Sequence, residues 1–287
     1  MASKDIVQQL DKKALEIRLE LLKLCNNTVI HIGGDLSVCD IMTALWQYKI
    51  NYNVDDPRWE YRDRFVLSKG HASAVTSFNQ AMIGCYRYEE IHDEYATDFG
   101  RFGMHSCNLK NVHVEVSTGS LGHGFPISGG IAAALKAKNN RTSRVYTVMG
   151  DGELNEGSVW ETAMSAPALK LGNLVAFVDK NGLSFDGVVD DLITVEPLAD
   201  KWKAFGWNVI EVDGHDMNAL VDVLDNLPDV TSDQPTVVIA KTVKGRGVSF
   251  MENNVKWHAG MLSDADCLAA SNELRAAYDE KWGTNHG

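Results

Sequence analysis

The segment that most restricts the fold is an apolar run, RVYTVM (144–149), that breaks directly into Gly150-Asp151-Gly152. An Ala-rich stretch over 157–171 follows, then a second apolar run, 174–179, ending in Asp179-Lys180-Asn181-Gly182. Short apolar runs closed by turn residues read as buried strands, and the stretch between them as a buried crossover helix. Strands alternating with helices call for a parallel sheet. Further strands are expected over 64–68, 207–213 and 236–240. The expected class is therefore α/β: a doubly wound, mostly parallel sheet with helices on both faces.

An N-terminal amphipathic helix is expected from Leu10, Ala14, Ile17, Leu21 and Leu24, and a second from about Ser37, whose hydroxyl would cap a run through Ile41, Leu45 and Tyr48. A last helix is expected over 263–282. The Gly-rich stretch 99–130 is the longest without clear periodicity, and loops of that length in a compact domain are usually functional. With no repeat, low-complexity tract or linker, residues 1–287 read as a single domain. Hydrophobic residues at 45% with 6 Pro exclude general disorder. A net charge of −12 without a basic cluster disfavours nucleic acid, so an anionic ligand would need a metal, a helix N-terminus or backbone amides. Five Cys with no C-x-x-C read as reduced thiols of a cytoplasmic protein. The charged N-terminus is unlike a signal peptide, and no apolar run approaches the roughly 18 residues of a membrane span.

If the two central strands are parallel neighbours, Asp151 and Asn181 lie together at their carboxyl ends, where doubly wound sheets bind ligands. A carboxylate and an amide carbonyl are hard oxygen donors suited to Mg²⁺ or Ca²⁺, and Mg²⁺ commonly completes its shell with phosphate and water. The pattern thus reads as a metal–diphosphate anchor. A dinucleotide fingerprint would need Gly where Asn155 stands, and no G-K-[ST] follows the glycines.

Gly150-Asp151-Gly152, followed about 27 residues later by Asp179-Lys180-Asn181, resembles the thiamine diphosphate motif. LSKGHA (67–72), EVSTGSLGHG (115–124), GDGELNEGSVWE (150–161), DKNGLSFDG (179–187) and KTVKGRG (241–247) narrow the resemblance to the transketolase family. It implies that Asp151, Asn181 and the Leu183 carbonyl hold Mg²⁺, with Ca²⁺ or Mn²⁺ as substitutes. It places Gly152 and Glu156 beside the diphosphate, Glu156 also in the loop that links paired active sites. Gly119, Ser120 and Leu121 would approach the cofactor through their backbone, and Lys244 would reach its phosphates.

The resemblance also singles out His31, His71, His105 and His258 as the histidines around cofactor and sugar, moving protons among hydroxyls; His71 and His258 would also touch the cofactor. An unperturbed imidazole pKa of about 6.5 suits that work. His92, His113, His123, His215 and His286 read as surface or packing residues, with His123 beside the cofactor loop. Departures from the family pattern are His31-Ile32 for H-P, Gly122-His123-Gly124 for G-Q-G, and Lys180. The resemblance would put them on the pocket rim, where they would bear on the donor and acceptor sugars.

In this family the cofactor does the carbon–carbon chemistry, and the Glu that activates it belongs to a second α/β domain. No candidate for that Glu is visible in this sequence. The expectation is therefore the N-terminal subunit of a split, thiamine diphosphate-dependent transketolase, active with a partner chain carrying the pyrimidine and C-terminal domains, as an α2β2 assembly. It would move a two-carbon ketol unit from a ketose, phosphorylated or related, to an aldose. Alternatives are a non-catalytic cofactor-binding regulatory module and a deoxyxylulose-phosphate-synthase-like transferase subunit. Trp46, Trp160, Trp202 and other aromatics are candidates for the interface with the partner, though each such residue is more often core than interface.

Overall fold

The computed structural model describes residues 3–283, and His286 lies outside them. In chain order the elements are α1 (Lys4–Asn27), α2 (Ile32–Ala44), β1 (Arg64–Leu67), α3 (Ser73–Met82), α4 (Tyr88–Glu94), α5 (Gly124–Ala137) and β2 (Val145–Gly150). They continue with α6 (Gly157–Ala168), β3 (Leu174–Lys180), α7 (Val189–Ile193), α8 (Leu198–Ala204), β4 (Asn208–Asp213), α9 (Met217–Asp225), β5 (Thr236–Lys241) and α10 (Asp264–Trp282).

The strands form one five-stranded sheet in the order β1-β2-β3-β5-β4, with every pair parallel. Strands covered on both faces carry apolar side chains at successive positions, which is why they read as unbroken apolar runs. Tyr146, Val148, Phe177, Val238 and Ala240 point into a core shared with α1, α2, α3, α9 and α10. Val145, Met149, Ala176, Val178, Val237 and Ile239 point the other way, against α5, α6 and α8. The expected doubly wound α/β architecture is the one observed.

One expectation needs correction. The second helix starts at Ile32, with His31 at its N-cap, and not at Ser37. Ser37 is fully buried, its hydroxyl 2.6 Å from Asp179 and 3.1 Å from the Gly34 carbonyl. Gly33-Gly34 resembles a turn in sequence, yet it is the first turn of a helix whose thirteen residues are all buried. A Cβ on Gly33 would collide with the Trp257 carbonyl and come within 3.2 Å of Lys244 Cγ, so only glycine lets the helix begin there. The tryptophans take the commoner of their two readings and pack within this chain, Trp160 half-buried. Trp46 and Trp202 are buried, and Trp160 packs 5.5 Å from Trp202 with its Nε1 donating to the Leu154 carbonyl. The stretch without periodicity ends where α5 begins at Gly124. All five cysteines are unpaired. Among the described residues no helix is long and apolar enough to cross a membrane.

Candidate active site

The β2–β3 register sets Gly150 beside Asp179, so the two motifs leave the sheet at the same level. Asp151 is 3% exposed and accepts from Gly152 N at 2.8 Å and Gly182 N at 2.6 Å. Burial, with Asp179 nearby, pushes its carboxyl up to about 6. Asn181 Nδ2 donates to Asp179 at 3.0 Å while its Oδ1 accepts from Leu183 N at 3.0 Å. The amide is thus held in one orientation, with an acceptor lone pair left on its oxygen. The Leu183 carbonyl accepts from Lys244 Nζ at 3.0 Å.

A cavity of about 540 Å³ opens at this edge of the sheet. Nine residues expected in the site line it: His71, Leu121, Asp151, Gly152, Glu156, Asn181, Leu183, Lys244 and His258. Gly119, Ser120, His31 and His105 are not in its wall. Gly119, at φ +154°, lies under the His105 ring, and a Cβ on Gly70 would come 2.6 Å from Gly119 N. These two glycines let the turn after β1 and the loop before α5 touch backbone to backbone. Ser120 is exposed.

The four expected histidines converge. His31 stands 5.4 Å, centroid to centroid, from both His71 and His105 and 5.5 Å from His258, and His71 is 5.4 Å from His258. Burial pushes His31 down to about 4, with help from His105, Lys69 and Lys244, and His258 down to about 3, with help from Lys244. Burial also takes His71 well below the usual imidazole value and lowers His105. All four are therefore neutral near pH 7, each ring with one donor and one acceptor nitrogen. Lys244 Nζ meets His258 Nδ1 at 2.8 Å, and since an ammonium only donates, the His258 proton is on Nε2.

Two residues without an expected role help build the site. Lys69, 1% exposed, pairs with Asp179 at 2.5 Å and reaches the Gly34 carbonyl at 3.2 Å. Glu153 is buried, accepting from the Ser68 hydroxyl, Gly122 N and Gly150 N. Asp179, fully buried, accepts from Ser37, Lys69, Asn181 and Thr242, so it organises the floor and has no free edge for a ligand. The sequence signal for Lys69 is its place just past the carboxyl end of β1, the position that marks Asp151 and Asn181 on their strands.

The donor set of one carboxylate, one amide oxygen and one carbonyl fits a hard divalent cation. The Leu183 carbonyl already draws a cationic group, the Lys244 ammonium. That ammonium, pushed down to about 8 by burial and by Lys69, is a desolvated cation beside the donors, suited to a phosphate. Among the described residues no cluster of three or more His, Cys, Asp or Glu could hold a metal by itself, so a metal here would share its shell with an oxygen-rich ligand.

A family model described as "Transketolase, thiamine diphosphate binding domain" matches residues 17–283. The 6-deoxy-6-sulfo-D-fructose transketolase subunit SqwG of Clostridium sp. (strain MSTE9) is 34% identical over 257 residues, covering 90% of this chain and 92% of that one. One of the apulose-4-phosphate transketolase subunits, that of Actinobacillus succinogenes, is 37% identical over 269 residues, covering 93% and 96%. Human transketolase is 35% identical over 250 residues, 85% of this chain but 39% of its own length. The crystal structure of transketolase from Campylobacter jejuni superposes with a TM-score of 0.83 at 27% identity, over 96% of this chain and 43% of that one. The chain thus spans less than half the length of the solved transketolases it matches.

Proposed function

Because the chain belongs to the transketolase family, through its thiamine diphosphate-binding domain, we propose that it is the diphosphate- and Mg²⁺-binding subunit of a two-chain transketolase. With a partner carrying the pyrimidine and C-terminal domains, it transfers a two-carbon ketol unit from a ketose to an aldose. The observation that carries this reading is the single cavity in which Asp151, Asn181 and the Leu183 carbonyl stand beside Lys244, with neutral histidines at its edge. The two-chain arrangement is supported by the relatives named as subunits, nine-tenths or more of whose length the chain covers.

Thiamine diphosphate, when bound, supplies the carbon–carbon bond chemistry. Asp151, Asn181 and Leu183 would hold Mg²⁺, and Lys244 and the backbone near Gly152 would take the diphosphate. Lys244 directs its three protons to the Leu183 and Ser184 carbonyls and His258, so it would exchange one of these bonds to hold a phosphate oxygen. His258, which lines the cavity, keeps its Nε2–H as a donor. His31, whose Nδ1 is buried with no hydrogen-bond partner, packs against the His71 and His258 rings. Gly119, Ser120 and Leu121 would approach the cofactor through their backbone, and His105 lies against Gly119. The donor is a ketose carrying phosphate or a related anionic group, as in the relatives named for a sulfonated ketose and a ketose phosphate.

The test is a panel of ketose donors and aldose acceptors given to the chain together with its partner, thiamine diphosphate and Mg²⁺. Two-carbon transfer for at least one anionic ketose is expected. Cofactor binding without transfer for any pair would favour a regulatory module instead.

A further inference from the structure

His215 lies outside the cavity, in the turn between β4 and α9, yet it is tied to the loop that carries Lys244. Its Nε2 is 2.9 Å from the backbone nitrogen of Val243, the residue before Lys244. Its Nδ1 is 2.8 Å from Asp40 Oδ2 on α2, and both side chains are 9% exposed. Asp40 is in turn gripped by Arg18 of α1, at 2.7 Å to each carboxylate oxygen.

The chemistry of the ends sets the direction of every bond. An amide N–H can only donate, so Nε2 must accept and the imidazole proton must be on Nδ1. A carboxylate can only accept, so Asp40 holds that proton in place while it stays ionised. Burial works against the charge on Asp40, but the Arg18 guanidinium and the bond from His215 together outweigh it and keep the carboxyl below its usual range. Arg18 thus helps to hold the charge of Asp40, Asp40 fixes the tautomer of His215, and His215 fixes the Val243 peptide.

We propose that His215 is a positioning residue for the site: through the Arg18–Asp40–His215–Val243 chain it sets where the Lys244 ammonium meets the cofactor phosphates. The proposal rests on the reading of Lys244 as a phosphate ligand. The same loop is tied elsewhere, by Thr242 N to the Lys180 carbonyl at 3.1 Å and Gly245 N to the Gly33 carbonyl at 3.0 Å. Loss of His215 therefore releases one peptide, and not the whole loop.

The test is a double-mutant cycle on the full chain, with affinity for inorganic pyrophosphate in the presence of Mg²⁺ read by calorimetry. His215→Phe should weaken binding about tenfold, and Lys244→Ala more. The double variant should bind no more weakly than Lys244→Ala alone, because His215 acts through Lys244. Unchanged affinity in His215→Phe, or a further tenfold loss when it is added to Lys244→Ala, would overturn the proposal. If Lys244→Ala itself binds like the parent, the failure belongs to the assignment of Lys244. A second measurement needs no variant: ¹⁵N shifts of labelled histidine should show His215 of the parent protonated on Nδ1, and an Nε2-protonated ring would refute the chain of bonds.

Discussion

At the scale of single residues, placement in a motif and tertiary partnership carry different information. Asp151 and Asn181 are legible in sequence because the chemistry of a carboxylate and an amide at the ends of two adjacent parallel strands needs no distant partner to interpret. The four converging histidines are legible only through the family motifs, since each is an isolated imidazole in its own stretch of chain. His215 reads as a packing residue because its partners, Asp40 and Val243, are remote in sequence. Asp35 gives a test of burial. It is fully buried, Val75 N donates to one oxygen at 3.0 Å, and the other has no partner. Burial pushes its carboxyl from 3.8 up to about 7. The folded chain therefore binds a proton there that the unfolded chain has released, and stability falls as pH rises from about 4 to about 7. Asp35→Asn removes this slope. Denaturation should show the variant more stable than the parent by a few kcal/mol (about 1.4 per pH unit) at pH 8, with the difference gone by pH 4. A gain that does not change with pH would contradict this account. His258→Ala should slow turnover by about 10²-fold or more while leaving assembly intact, as sedimentation would show.

At the scale of elements, the sheet is readable because strands buried on both faces leave continuous apolar runs, whereas α2 is not. A helix buried on all sides has no polar stripe to mark its period, and its Gly-Gly start looks like a turn. The start of α2 also lies against Lys244 and the Trp257 carbonyl, so it couples helix packing to the site. Gly33→Ala should push Trp257 and the Lys244 stem aside, lowering stability by about 1–3 kcal/mol and weakening diphosphate binding together. Gly130→Ala, where a Cβ meets nothing within 4 Å, is the control and should do neither. If the Gly33 variant loses stability but keeps full affinity, α2 does not help place the site. The loop before α5 shows what sequence could not resolve: Gly119 and Ser120 stand outside the cavity wall while Leu121 is part of it, a distinction made by the fit of Gly119 against Gly70 and His105.

At the scale of the whole molecule, the chain covers nearly all of relatives named as subunits but 39% of human transketolase, so the two-chain reading is a claim about assembly as well as chemistry. Sedimentation of the chain mixed with its partner should give a complex with two copies of each, joined through obligate interfaces of about 2,000–5,000 Å². Two species sedimenting independently would count against it. The net charge of −12 makes local cations decisive: on the proposed reading, an anionic cofactor in such a field would depend on Mg²⁺ and on Lys244. The central claim is that Asp151 anchors that metal, and the most direct measurement is the Mg²⁺-dependent affinity of the assembled protein for thiamine diphosphate, by calorimetry, with and without Asp151→Ala. Loss of affinity on the order of a hundredfold or more is expected, because the variant removes the one carboxylate of the donor set; near-parental affinity would contradict the account.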